Sequence, residues 1–123
     1  DKEGNGGVSI RSAKSAELYI DDADGSERIR LYDKDQKQWL EIDTVNKKIT
    51  LETDTGDILI KAKELIRMEC KNFELEAEKN VSIKAGKNLD MKCNKLNSKS
   101  DASTDITASA KMTLKGATID LNP

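Results

Sequence analysis

Three groups of residues in this chain have types that could do chemistry: two thiols, a pair of carboxylates beside a glycine, and a run of hydroxyls near residue 100. Cys70 and Cys93 could in principle ligate zinc, form a disulfide or attack as nucleophiles. Zinc sites draw on close pairs such as Cys-x-x-Cys with further Cys or His, and neither cysteine has such a neighbour. A nucleophilic thiol needs a partner to take its proton, most often histidine, and the chain has 0 His. An intrachain disulfide and two small buried thiols both remain open. Asp22, Asp24 and Gly25 have the composition of a calcium loop, but the EF-hand spacing and its terminal Glu are missing. Single charged residues such as Glu69 and Asp90 read most simply as a solvated face. The expectation is a protein with no catalytic residues, no cofactor and no metal ligands.

The bulk composition points the same way. Of the 123 residues, 36% are hydrophobic and 36% charged, with one Trp, one Phe and two Tyr. A domain of this length ordinarily buries well over half of its unfolded surface around a sizeable core, and the large side chains for that are scarce. A repetitive, elongated architecture with a narrow interior suits the supply better. The 21 basic and 23 acidic residues are interleaved, for a net charge of −2, so the basic face that nucleic acid requires is absent. No apolar run is long enough to form a transmembrane helix. The chain opens at Asp1 in a polar, Gly-rich stretch, which reads as a piece of a longer protein with a part missing upstream.

The elements that position these residues follow from a period. From Ile49 onward, apolar and polar residues alternate in short bursts, the signature of strands with one inward face. The first inward residues fall at 58, 66, 73, 81, 89, 96, 104, 112 and 119. After the first step, three consecutive bursts always span 23 residues, and such periodicity means a stack of equivalent units. The expected core is Ile58, Ile60, Ile66, Met68, Cys70, Phe73, Leu75, Val81, Ile83, Leu89, Met91, Cys93, Leu96, Ile106, Met112 and Leu114. Outward partners such as Arg67, Glu74, Lys84 and Lys92 are charged.

Three details sharpen this. The third inward residue of each burst is small (Ala62, Cys70, Ala77, Ala85, Cys93, Ser100, Ala108, Gly116), as expected where two flat faces meet at a corner. Cys70 and Cys93 share one phase of the repeat, which favours small core thiols. Lys-Asn recurs at 71–72, 79–80 and 87–88, and Asn suits a left-handed corner residue. Ser98, Ser100 and Thr104 make the interior partly polar, so an ion or ordered water is expected there, or else a looser stretch.

Upstream, Glu17–Ile20, Arg28–Tyr32, Gln38–Ile42 and Lys48–Thr53 read as longer strands separated by Asp-rich turns. The expected organisation is a linker over residues 1–15, an antiparallel β collar over 16–57, and the repeat over 58–123. A repeat of 23 residues could stack within one chain as a parallel β-helix, but under three turns are present and neither end shows a polar capping repeat. Three intertwined copies solve both problems. The expected fold is thus all-β: a triple-stranded β-helix, a triangular β-prism homotrimer, preceded by the collar. At roughly 4.8 Å per strand, nine strands make a rod about 40 Å long.

The run from Ala16 through Asp33, then Trp39–Thr44 and Lys48–Thr53, resembles the region after the OB-fold in spike proteins of contractile injection systems. Octads such as Lys79-Asn-Val-Ser-Ile-Lys-Ala-Gly86 resemble their triple-stranded β-helix. These are the VgrG proteins of type VI secretion, the central spikes of contractile phage tails, and their extracellular relatives. The resemblance implies a homotrimeric needle driven mechanically through a target envelope, assembled in the bacterial cytoplasm and joined to tube or baseplate through the upstream part. It also implies a blunt end, Ile119, Asp120, Leu121, Asn122 and Pro123, that docks a PAAR-type tip protein. The His-x-His iron tip of some phage spikes is excluded by the missing histidine. Two other readings stay open: a single-chain β-helix that binds or acts on carbohydrate, and a passive fibre or adhesin shaft.

Overall fold

A computed structural model describes residues 6–122, with a first compact unit running through Phe73 and a second from Glu74. Residues 1–5 of the expected linker and Pro123 of the expected tip lie outside the described residues. Five strands and no helix are present among the described residues: β1 Gly7–Arg11, β2 Glu17–Asp21, β3 Arg28–Tyr32, β4 Gln38–Asp43 and β5 Lys48–Thr53. They form one antiparallel sheet in the order β1-β2-β3-β4-β5. The last four match the sequence reading of the collar. β1 falls inside the expected linker: Val8 and Ile10 alternate with Gly7, Ser9 and Arg11, and antiparallel pairing with β2 turns this short stretch into an edge strand.

Register decides what each face carries, because opposed residues share a face. Ile10, Leu18, Leu31, Leu40 and Leu51 form one continuous row across the five strands. Val8, Ile20, Ile29, Ile42 and Ile49 form the second. The opposite face carries Arg11, Glu17, Tyr32, Trp39 and Glu52 in one row and Ser9, Tyr19, Arg30, Glu41 and Thr50 in another. One face is therefore aliphatic apart from Gln38 opposite Thr53 at its end, and the other is charged and aromatic.

All four hairpins are built alike, from a side-chain cap and one left-handed residue. Ser12 Oγ accepts from the Ala16 amide at 3.0 Å, and Ser15 takes φ 66°. Asp21 accepts from the Ala23 amide at 2.9 Å, and Gly25 takes φ 83°. Asp33 accepts from Lys37 at 2.8 Å with Gln36 at φ 55°, and Asp43 from Asn46 at 3.0 Å with Lys47 at φ 53°. Asp and Ser suit these places because their short side chains bond to backbone a few residues on.

No apolar side chain is buried among the described residues. The chain's accessible surface is 12863 Å², against roughly 6,600 Å² for a folded monomer of this mass and about 20,000 Å² for the unfolded chain. The fold makes a sheet without making a core of its own.

One prediction follows from the hairpins. The left-handed region costs a side-chain-bearing residue on the order of 1 kcal/mol and glycine nothing. Lys47→Gly should therefore stabilise the sheet by up to about 1 kcal/mol, read as a higher denaturant midpoint. Lys48→Gly, one residue on and inside β5, should lower it.

Candidate functional site

The residues expected to matter most lie beyond β5, where the backbone has a regular geometry of its own. It bends at 63–64, 71, 78–79, 86–87, 94, 101–102, 109–110 and 117. The bends at 63–64, 86–87 and 109–110 are 23 residues apart, as are those at 71, 94 and 117. Between them run unbent stretches such as 65–70, 72–77, 80–85 and 88–93. Each expected inward triad occupies the second, fourth and sixth places of such a stretch; Ile66, Met68 and Cys70 are an example. The period read from side chains is thus also a period of the backbone.

The sequence reading left a single-chain ladder open beside pairing between chains, and these stretches do not form such a ladder. Among the described residues, no backbone–backbone hydrogen bond lies within 55–122, and strand pairing needs a neighbour that the chain does not bring to itself. The corners also do without left-handed residues: Asn72, Asn80 and Asn88 have no positive φ, nor does any other described residue after Lys47. A shallow corner needs only a change of ψ at negative φ, so the Lys-Asn pairs are not explained by left-handed geometry.

The large apolar residues of the repeat are all open on this chain, from 45% for Met112 to 86% for Leu59. Cys70 and Cys93 are free thiols and exposed, with no disulfide between them. Ser100 Oγ donates to the Ser103 carbonyl at 2.6 Å, bridging the bend at 101–102; that hydroxyl is satisfied without an ion. The small-residue rule has a local cause at Gly116, where an added Cβ would sit 3.1 Å from the Thr118 carbonyl oxygen. The Asp22–Gly25 loop is organised by Asp21, whose carboxylate accepts from Ala23 and from Ser26 Oγ at 3.2 Å. Among the described residues, no group of three Asp, Glu or Cys is placed to hold a metal ion.

The collar contributes a cluster that the sequence reading missed. Glu17 on β2 is 6% exposed and accepts from Tyr32 Oη at 2.5 Å, from Arg11 at 2.9 Å and from Ser9 Oγ. These partners join β1, β2 and β3 through one carboxylate. The Ser9 and Tyr32 hydroxyls and the Arg11 guanidinium hold its pKa down at about 2, and the same bond raises that of Tyr32. No motif reveals the cluster, because only register brings Ser9, Arg11, Glu17 and Tyr32 together.

At the end of the sheet, an open hollow of about 490 Å³ is lined by Leu31, Leu40 and Leu51 of the aliphatic face, by Tyr32, Trp39 and Glu52 of the opposite one, and by Ile58 and Leu59. The first inward residue of the repeat thereby adjoins one aliphatic row of the collar.

These are the features of a repeat-built all-β chain. A family model described as hemagglutinin repeat matches residues 25–122, and the chain belongs to that family. No curated protein and no solved structure matches it. No helix among the described residues is long and apolar enough to cross a membrane.

The Glu17 cluster generates a pH dependence with a definite sign. Folding lowers the carboxyl from 4.5 to about 2, so the unfolded chain binds the proton more tightly. The stabilisation is complete above pH 4.5 and is lost as pH falls toward 2. Melting profiles between pH 2 and 6 should show the loss in the native chain. Glu17→Gln should melt lower at pH 6 and show a shallower fall below pH 4.5.

Proposed function

We propose that this chain is one third of an intertwined homotrimeric rod that works mechanically, as the spike of a contractile injection machine. One observation carries the three-chain part: a backbone whose pattern of bends repeats every 23 residues leaves its amides unpaired within the chain and its apolar rows open. Strands from two other copies would pair those amides and close the rows into a narrow shared prism. A single-chain parallel β-helix would pair residues 23 apart, and no such bond occurs among the described residues. The accessible surface, near twice that expected of a folded monomer, supports association over a monomeric enzyme or carbohydrate binder.

The spike reading rests on the collar sequence and on the repeat that follows it. The rod is pushed rather than turned over, so the chemistry is that of a rigid body. Alternating Lys and Glu on its outside keep it free of adhesive apolar patches. Ile119, Asp120, Leu121, Asn122 and Pro123 of three copies form the platform for a PAAR-type tip protein. The upstream part of the protein joins the rod to tube or baseplate.

The family description favours a second reading: the shaft of a hemagglutinin-type adhesin, built on the same repeat. The two part company at the tip. A spike retains a PAAR-type protein and loses it when residues 119–123 are deleted. A shaft retains none and agglutinates erythrocytes.

The three-chain arrangement is tested by Ile83→Asp beside Lys84→Asp. Ile83 is 64% exposed on the single chain, so a monomer would tolerate aspartate there within about 0.5 kcal/mol. In the trimer three carboxylates would crowd one layer, at a cost of at least about 4 kcal/mol. Light scattering should find a trimer for the native chain and for Lys84→Asp, and dissociated or aggregated chain for Ile83→Asp. A native monomer would overturn the arrangement.

A further inference from the structure

The aliphatic face of the collar sheet poses its own question, separate from the repeat. Resting on the three-chain reading, we propose that this face is covered by two further copies of the chain, the three sheets turning their aliphatic rows toward one another. The charged and aromatic faces are then the outside of the collar.

Four observations lead there. The face is built as an interior: two unbroken five-residue rows contain no charged side chain, and depletion of charge marks the core of an interface. None of the described residues covers it, with Ile10 64% and Ile49 71% exposed. Its eight most open residues expose on the order of 700 Å², close to the roughly 800 Å² that each partner contributes to a stable interface. The opposite face needs no partner, because Glu17 is satisfied by Ser9, Arg11 and Tyr32, and Arg30 is paired with Glu41.

Continuity selects copies of this chain over a foreign partner. Leu31, Leu40 and Leu51 line one hollow with Ile58, where the inward row of the repeat begins. Whatever covers Ile58 in the rod therefore stands beside the collar's aliphatic row. An aliphatic surface is also self-complementary under rotation, whereas a charged one would repel its own image.

The test uses the full chain with Cys70→Ser and Cys93→Ser, adding either Leu40→Cys or Glu41→Cys. These neighbours on β4 point to opposite faces. Reaction with a maleimide-polyethylene glycol is followed by gel shift, and mass is measured on the same samples. The expected result is a trimer in which the thiol at 41 reacts at least about tenfold faster than the thiol at 40. Equal rates in a trimer would overturn the proposal while leaving the three-chain repeat standing. A monomeric mass would overturn the repeat reading instead, and this inference with it. Should Leu40→Cys fail to fold, Ile29→Cys against Arg30→Cys asks the same question on β3.

Discussion

Between residues 55 and 122 the backbone makes no hydrogen bond to itself, yet it keeps a fixed period of straight runs and bends. Holding a residue in one conformation costs about 1–2 kcal/mol of entropy, and extended chain supplies none of the local pairing that offsets this in a helix. Exposed amides could be hydrated, but hydration favours the unfolded ensemble equally. A regular extended chain therefore draws no stability from its own backbone pairing, and the missing core, the large accessible surface and the open apolar rows accompany that lack.

The collar meets the same constraint differently. Antiparallel hairpins satisfy its backbone locally, so the sheet forms within one chain. A flat sheet of five strands still cannot bury both faces. This one closes its polar face with side-chain bonds around Glu17 and Arg30 and leaves the aliphatic face open. That division is unusual for a monomer, in which the aliphatic face would be the first to be covered. Pairing in the collar is local, between strands that follow one another in the chain, and a sheet of such low contact order forms readily by itself.

Much of this was legible in the residues. The residue pattern marked β2 to β5, and in the repeat the alternating triads fall between the bends. β1 was hidden because two apolar residues after a Gly-rich stretch carry little signal until β2 is beside them. The Glu17 cluster was invisible for a related reason: its partners lie 6, 8 and 15 positions away, and only register unites them. Turn chemistry located the Asp-rich hairpin turns upstream but did not identify the left-handed residues. Asparagine in the repeat does not adopt the left-handed region, while Ser15, Gln36 and Lys47 do. Hairpin geometry there overrides intrinsic preference, since each turn must close a register already set by the aliphatic rows.

The bends carry one more consequence. They alternate as two residues, one, two, and again two, one, two: 63–64, 71, 78–79, then 86–87, 94, 101–102. Across a two-residue bend, successive inward residues are four apart, as from Ala62 to Ile66, and the alternation keeps its phase. Across a one-residue bend they are three apart, as from Cys70 to Phe73 and from Cys93 to Leu96. Alternation alone would then turn the next triad outward, so the bend itself must rotate the chain by half a pleat. Lys71, Asn94 and Ala117 occupy these tight bends, and the residue before each is the small Cys70, Cys93 or Gly116. A larger side chain would stand where the backbone rotates. Small residues precede the two-residue bends as well (Ala62, Ala77, Ala85, Ser100 and Ala108), so the shared phase of Cys70 and Cys93 follows the general rule that a small side chain stands before each corner.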